Sequence, residues 1–386
     1  MSDVYERALK KHAEWKGKIL PELNLEIESM DDLSLAYSPG VAEPCRVIQK
    51  DPRKAYELTW KSQVIAVISD GSAVLGLGDI GAQAALPVME GKAALFKRFG
   101  NVSAVPLVLD VHSPEEIIAH VKALAPSFAG INLEDISAPK CVEIERTLIE
   151  ELDIPVFHDD QHGTAIVVCA ALINALTLIK KDAQNCTCVM SGAGAAGSSI
   201  ARLLKQLGLK DIYVFDSKGI LNSKRNDLNM VKQEMLEFTN ADDKDLSLSE
   251  AMKGADIFVG VSGPGIITKE MVSSMNEDAI VFAMANPEPE IDYDEAKAAG
   301  ARIVATGRSD YPNQVNNVLV FPGIFKGMLA CPGSKITDAI KMAAAKGLAA
   351  CISESELSEE KIIPDAFDMH VADAVAKAVL DEAQKA

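Results

Sequence analysis

Three carboxylates stand directly behind two apolar runs. Glu134 and Asp135 follow the run Phe128–Leu133, and Asp160 follows the run that begins at Ile154. Both runs have the length and composition of buried strands, with turn or helix signals behind them. Acids at the carboxyl ends of parallel strands point into the crevice where open α/β sheets bind ligands. Three oxygen donors meeting there suit a hard divalent cation, Mg²⁺ or Mn²⁺, with positions left open for substrate and water. Taken singly, each acid reads as the cap of a helix or turn. Only the set carries the metal reading.

A second constellation lies further on. Thr187–Met190 reads as a strand, and the segment from Gly192 to Gly197 behind it has the spacing G-x-G-x-x-G, followed by a helix over Ser198–Leu207. In that pattern Gly192, Gly194, Ala195, Ala196 and Gly197 let the backbone approach a pyrophosphate, which sits on the helix N-terminus. The next strand ends in Asp216, placed to accept from a ribose 2′-hydroxyl. Strand, glycines, helix and acid together describe a Rossmann-like, doubly wound dinucleotide-binding unit. Asp216 favours NAD by repelling a 2′-phosphate, whereas Lys218, Lys224 and Arg225 just beyond it offer countercharge for NADP. Gly260–Gly265, including Gly263, ends another strand and is expected to lie along the cofactor. The same glycine spacing at Gly76–Gly81 lacks a strand of comparable length before it and an acid-ended strand after it. Those glycines are read as allowing close approach in the cleft instead.

The elements that must position these residues alternate. Strand-like runs at Gln63–Ser69, Ala104–Asp110 and Phe128–Leu133 are separated by helical patterns at Gln83–Phe99, Pro114–Leu124 and Cys141–Leu152. Met30–Gly40 reads as a loop. A second series, Thr187–Met190, Ile212–Phe215, Ile257–Val261, Ala279–Ala283 and Arg302–Ala305, follows a long apolar helix after Gly163. Alternation of this kind implies parallel sheets with crossover helices. The fold class is therefore α/β with two domains, an N-terminal α/β unit for substrate and metal over 1–163 and a dinucleotide-binding unit over 164–315. The remainder, 316–386, is expected to supply C-terminal helices that pack back on both. A chain of 386 residues is long enough for two cores.

Bulk properties narrow the partners. A formal net charge of −18 argues against nucleic acid or an anionic membrane. The apolar stretch Thr164–Ile179 is short for a spanning helix and carries Thr164, Asn174 and Thr177, so it reads as a core helix. Seven scattered cysteines without a C-x-x-C pair, and a start without a signal-peptide core, fit a reducing cytoplasm.

Six motifs in one order carry a resemblance. They are Tyr37-Ser-Pro-Gly-Val, Gly91-Lys92, Asn132-Leu-Glu-Asp135, Phe157-His-Asp-Asp-Gln-His-Gly-Thr164, Ala285-Asn-Pro and Val315-Asn-Asn-Val-Leu-Val-Phe-Pro-Gly323. From about Asp31 to Pro332 the chain resembles malic enzyme in its short bacterial form. The resemblance implies oxidative decarboxylation of L-malate to pyruvate and CO₂, with a nicotinamide cofactor and a divalent metal on Glu134, Asp135 and Asp160. It implies that Lys92 is the general base, Asp159 the acid that pairs with it, and Tyr37 the general acid. Asn286 and Asn317 match amides that bind substrate and the nicotinamide side. Lys92 must have its pKa lowered for this role, which partial burial and a nearby metal would favour. The family also implies a homodimer or larger homo-oligomer. One departure stands out: the larger members carry a carboxylate-clamping arginine where this chain has Ala73, so Ser72, the amides, the cofactor or a neighbouring subunit must compensate.

Other readings compete. His158-Asp-Asp-Gln-His162 resembles the H-E-x-x-H zinc signature, but its central glutamate is missing and it follows a strand. A redox-neutral malate or oxaloacetate decarboxylating lyase would use the same residues. A nucleotide-binding regulator without catalysis would need none of Tyr37, Lys92 or the three carboxylates.

Overall fold

Val64–Ser69 is buried at every position, and this strand, β1, is the axis of the first sheet. Its β-branched run pairs in parallel with β2 (Ser103–Val108) on one side and β3 (Gly130–Leu133) on the other. The edge strand β4 (Val156–His158) pairs in parallel with β3, giving the order β2-β1-β3-β4. Burial on both faces explains why β1 and β3 read as continuous apolar runs rather than alternating ones, whereas β2 at the edge is only half-buried. The computed structural model describes residues 2–15, 17–74 and 76–385.

The second sheet has six strands in the order β10-β9-β8-β5-β6-β7. They are β5 (Thr187–Ser191), β6 (Asp211–Asp216), β7 (Gly219–Ile220), β8 (Ile257–Gly260), β9 (Ile280–Ala283) and β10 (Ile303–Thr306). All pairings are parallel except that of the short β7 on β6. From β5 the chain moves to β6 on one side and later to β8 on the other. The crevice therefore opens where the strand order reverses, outside the carboxyl end of β5.

One helix joins the sheets. Asp159–Ile179 is long and apolar enough by composition to cross a membrane, yet its apolar window is 72% buried inside the fold. Buried Asn174 is satisfied there: its amide donates to the carbonyls of Ala349 at 3.0 Å and Ile362 at 2.9 Å. A buried amide costs little once both donors are paired. The C-terminal helices Asp338–Ala349 and Val371–Ala383 complete this core, together with Phe321–Leu329.

Three local expectations need correction. The helix starts at Asp159 rather than after Gly163, so Asp159 and Asp160 occupy its first turn, where the helix dipole favours acids. His162 consequently lies inside a helix and not in a connection. Met30–Ala36 is a short helix rather than loop, because Ser29 and Asp32 form a reciprocal capping box. Lys92, expected from its place after Glu90 and Gly91 to open an apolar helix, sits instead in the last turn of Ala82–Leu95.

Phe325 ties the C-terminal segment to the first sheet. Its fully buried ring meets Phe96 edge-on at 5.4 Å and Phe157 at 6.2 Å between centroids. A ring so enclosed leaves a cavity when truncated. Phe325→Ala is expected to cost about 3–5 kcal/mol of stability, read as a lowered urea midpoint with an unchanged slope.

Candidate active site

Because β3 pairs with β4 with Leu133 opposite His158, the residues that follow each strand arrive side by side. Ligand oxygens of Glu134, Asp135 and Asp160 lie within 4.8 Å of one another. The backbone N–H of Asp135 donates to Asp160 Oδ2 at 2.8 Å, and Asp135 holds a left-handed backbone (φ 52°) to present its side chain. Asn132 Nδ2 donates to Glu134 Oε2 at 2.9 Å and fixes its rotamer.

Lys92 enters this cluster from the other side. Its Nζ lies 2.6 Å from Asp159 Oδ2 and 2.8 Å from Glu134 Oε1, with the Phe321 ring centroid at 4.2 Å. The side chain is 8% exposed, so these are ion pairs in a nearly dry environment. Asn317 Nδ2 donates to the same Asp159 oxygen. Gly163 makes room: a Cβ there would stand 2.0 Å from Asp159 Oδ1. That oxygen is buried and has no hydrogen-bond partner in the structure.

The charges do not balance. Four carboxylates, Glu134, Asp135, Asp159 and Asp160, face one ammonium. Burial and then repulsion from Asp160 push the Asp135 carboxyl up to about 7. Burial holds Glu134 well above the usual carboxylate range. Burial alone would lower Lys92, but Asp159, Glu134 and Asp160 outweigh it, and its pKa lies above the ordinary lysine value. The lowering that a general base requires is therefore absent while the acids stand alone. Three crowded oxygen donors with an excess of negative charge are what a hard dication satisfies, so Glu134, Asp135 and Asp160 fit Mg²⁺ or Mn²⁺.

Two cavities open beside the cluster. One, of about 770 Å³, is lined by Ala73, Asp135, Asp160, Gly263, Asn286 and Asn317 among others. The other, of about 740 Å³, is lined by Gly192, Gly194, Ala195, Asp216 and Gly263 among others. Val261, Ser262 and Gly263 line both, so the end of β8 borders the two cavities. Ala196 belongs to the first cavity. Gly197 is required for close packing: a Cβ there would stand 2.0 Å from the Gly192 carbonyl. Glu290 supports the shared wall from below, accepting from the N–H groups of Ser262 at 2.9 Å and Ala285 at 3.0 Å.

Several readings shift in detail. The glycines at 76, 78 and 81 line neither cavity. Ser72 cannot serve as a free carboxylate clamp, because its hydroxyl donates to Asp70 at 2.6 Å and accepts from the Ser137 N–H at 2.9 Å. Tyr37 is 70% exposed on the N-terminal segment and lines neither cavity. Asp216 is engaged by Arg225 and also by Lys232, a residue the spacing did not single out. His162 is held by the buried Glu145 at 2.8 Å. Glu145, Asn132, Glu290 and Phe321 were also missed. Glu145 and Glu290 lie in ordinary helical or loop patterns, and Asn132 and Phe321 lie inside the motifs named above without a role of their own, so only tertiary packing shows what each touches.

Known proteins match both parts of the chain. The family model described as malic enzyme, N-terminal domain, matches residues 16–149, and that described as malic enzyme, NAD binding domain, matches 161–384. The chain is 53% identical to a bifunctional malic/malolactic enzyme of Bacillus subtilis over 98% of its own length and 93% of the relative's. It is 52% identical to an NAD-dependent malic enzyme of Geobacillus stearothermophilus, over 96% of this chain and 77% of that one. An NADP-dependent malic enzyme of Halomonas elongata is 45% identical over 95% of this chain and 90% of its own. Among solved structures, an NAD-dependent malic enzyme of Thermotoga maritima superposes with a TM-score of 0.93 at 49% identity, covering 97% of this chain and 98% of that one.

Glu145 gives a test of the scaffold. Although burial alone would raise it, His162 and then Lys341 hold the Glu145 carboxyl down at about 2, and its oxygen also accepts from the His158 N–H at 2.8 Å. A depressed folded pKa contributes stability that is complete above the unfolded value near 4.5 and is lost as pH falls through about 2. Glu145→Gln is expected to cost roughly 3 kcal/mol at pH 7, with the gap to the parent closing as thermal midpoints are followed down to pH 3. A gap independent of pH would count against the ionised contact.

Proposed function

The chain belongs to the malic enzyme family, and from that premise we propose that it converts L-malate to pyruvate and CO₂ with reduction of NAD or NADP. The observation that carries this reading is Lys92, buried and bonded to Asp159 and Glu134 beside a cleft that adjoins the dinucleotide loop. Bound groups would supply the rest of the chemistry, a nicotinamide as hydride acceptor and a divalent cation as Lewis acid.

The residues then divide the proton traffic. Glu134, Asp135 and Asp160 would hold the cation, whose charge would offset the excess negative charge that raises the Lys92 pKa. Lys92 takes the 2-hydroxyl proton as the carbon is oxidised, and Asp159, held by Asn317, keeps its ammonium aimed. The bond to the distal carboxylate breaks, CO₂ leaves, and Tyr37 returns a proton to the methylene carbon. Asn286 and Asn317 offer amide donors to substrate and nicotinamide. Gly192, Gly194, Ala195, Ala196, Gly197 and Gly263 would border the dinucleotide. The malolactic activity in the name of the Bacillus subtilis relative keeps the redox-neutral lyase as a second reading.

We also propose that the chain works as a homodimer. Leu9, Trp15, Leu20, Leu23, Met30 and Leu35 are each at least half exposed on the segment that carries Tyr37. A contiguous run of chain with that much uncovered apolar surface calls for a protein neighbour, and a second copy would bring Tyr37 to a site.

Two measurements test these readings. Absorbance of reduced nicotinamide is followed as L-malate is added with Mn²⁺ and either cofactor, with pyruvate assayed at the end. Stoichiometric reduced cofactor and pyruvate are expected, and Asp160→Asn should lower turnover by about a hundredfold or more. Malate loss without net reduction would favour the lyase, and unchanged turnover in Asp160→Asn would remove that residue from the metal set. The second measurement mixes inactive Tyr37→Phe and Lys92→Ala chains. Activity should return, because a mixed dimer with Tyr37 acting across the interface regains one intact site; no recovery despite exchange of subunits would confine Tyr37 to its own chain.

A further inference from the structure

A third cavity, of about 360 Å³, shares no lining residue with the cleft at the acid cluster. Three helices bring their opening residues to it. Gln161 and His162 belong to the start of Asp159–Ile179, Ser198 and Ser199 to that of Ala195–Leu207, and Asp338 and Lys341 to that of Asp338–Ala349. The shortest of these helices has 12 residues, so each turns the positive end of a full backbone dipole toward this region.

Each acid lining this cavity already has a partner. Glu145 meets the His158 N–H and His162 Nε2, both at 2.8 Å. Glu234 accepts from Arg146 Nη1 and Nη2 at 2.7 and 2.6 Å, and Asp338 from Lys341 Nζ at 3.1 Å. The donors are not used up in the same way. Gln161 is 2% exposed, and its amide nitrogen is buried without a hydrogen-bond partner. A buried donor left so carries its full desolvation penalty until something accepts from it. Lys341 reaches Asp338 and, at a long 3.5 Å, His162 Nε2, which already faces the Glu145 carboxylate. At least one of its three N–H groups is therefore unspent. Arg202 meets Glu234 only at 3.4 Å. Val142, Ile149, Ile166 and Leu203 give the cavity an apolar wall.

We infer that this cavity binds a small phosphate monoester, with its head on Gln161, Lys341 and Arg202 and its carbon body on the apolar wall. A pocket with acceptors engaged and donors to spare fits an acceptor-rich ligand, and the two cations make those bonds charge-assisted. Donors carried by three different helices surround a tetrahedral anion better than a planar carboxylate, and helix N-termini are suited to phosphate. The volume leaves room beside the head for a few carbons. The inference is independent of the malate reading.

The test is calorimetry on the full-length protein, with ADP-ribose held saturating so that the dinucleotide cavity is filled. Glycerol 3-phosphate, inorganic phosphate and acetate are titrated into the parent, Arg202→Gln and Gln161→Leu. The ester is expected to bind at least as tightly as inorganic phosphate and about tenfold or more tighter than acetate, and each variant to raise its Kd by about tenfold or more. Gln161→Leu also removes a buried unpaired amide, so its thermal midpoint without ligand should not fall below the parent's. That readout separates lost binding from lost folding. An ester Kd that neither variant moves overturns the inference, as does a parent that binds no ester or prefers acetate. Inorganic phosphate bound while glycerol 3-phosphate is rejected overturns the assignment to an ester. A chain that binds the ester in this way but takes no ADP-ribose would uphold this site and count instead against the dinucleotide cavity.

Discussion

A single buried ammonium holds together a cluster of four carboxylates, and the geometry around the cleft follows from that imbalance. Lys92 bonds Asp159 and Glu134 directly, yet it cannot neutralise Asp135 and Asp160 as well. Such a cluster is tolerable only where something else bears part of the charge. The N-terminal turn of Asp159–Ile179 offers the positive end of a helix dipole to Asp159 and Asp160. Backbone and amide N–H groups from Asp135, Asn132 and Asn317 supply further donors. The remaining deficit is what makes a dication the natural complement of this site.

The surrounding fold is arranged to keep that cluster at the edge of the core and not within it. All four acids follow strands whose own residues are buried, so the apolar interior ends where the charges begin. On the opposite side the second sheet ends in the same cleft, with Gly263 shared by the two cavities and Glu290 pinning the backbone beneath it. The long helix between the sheets is nearly all apolar after its first turn. One element thus begins in the most polar region of the molecule and continues through its core.

Much of this was legible in the sequence because local chemistry and long-range placement coincide. Continuous apolar runs marked β1, β3 and the five parallel strands of the second sheet but not the short β7, and glycine spacing marked the turn after β5. The acid triplet was visible since parallel strands of known direction place their following residues on one rim. What sequence could not give was pairing across distance. Lys232 lies sixteen positions beyond Asp216 in a short polar helix, and only the fold brings it to the carboxylate. Glu145 reads as one acid among several on a polar helix, although it holds both His158 and His162. The Lys92 pKa was expected to fall with partial burial and a nearby metal together; while the acids stand alone Asp159, Glu134 and Asp160 raise it, and each of these is distant in the chain. The helix start at Asp159 was obscured because Gly163 reads as a breaker, whereas it is the residue small enough to lie over Asp159 within a helix.

The cleft itself leaves one requirement unmet. No residue lining it carries a positive charge among those described, and Ala73 lines it with a methyl group alone. Ser72 is tied into the loop by Asp70 and Ser137. On the proposed reading the substrate brings two carboxylates to a site that already has excess negative charge. Desolvating them there without a countercharge would cost several kcal/mol. The dication and the amides of Asn286 and Asn317 offset part of this, and the rest must come from cofactor or from a second chain. Exposed Tyr37 and the apolar segment around it face the same need for a neighbour. On that proposed reading a dimer that covers the segment would bring the general acid to the cleft, and the missing countercharge would still have to come from cofactor or from the second chain, so assembly and catalysis would share one physical requirement.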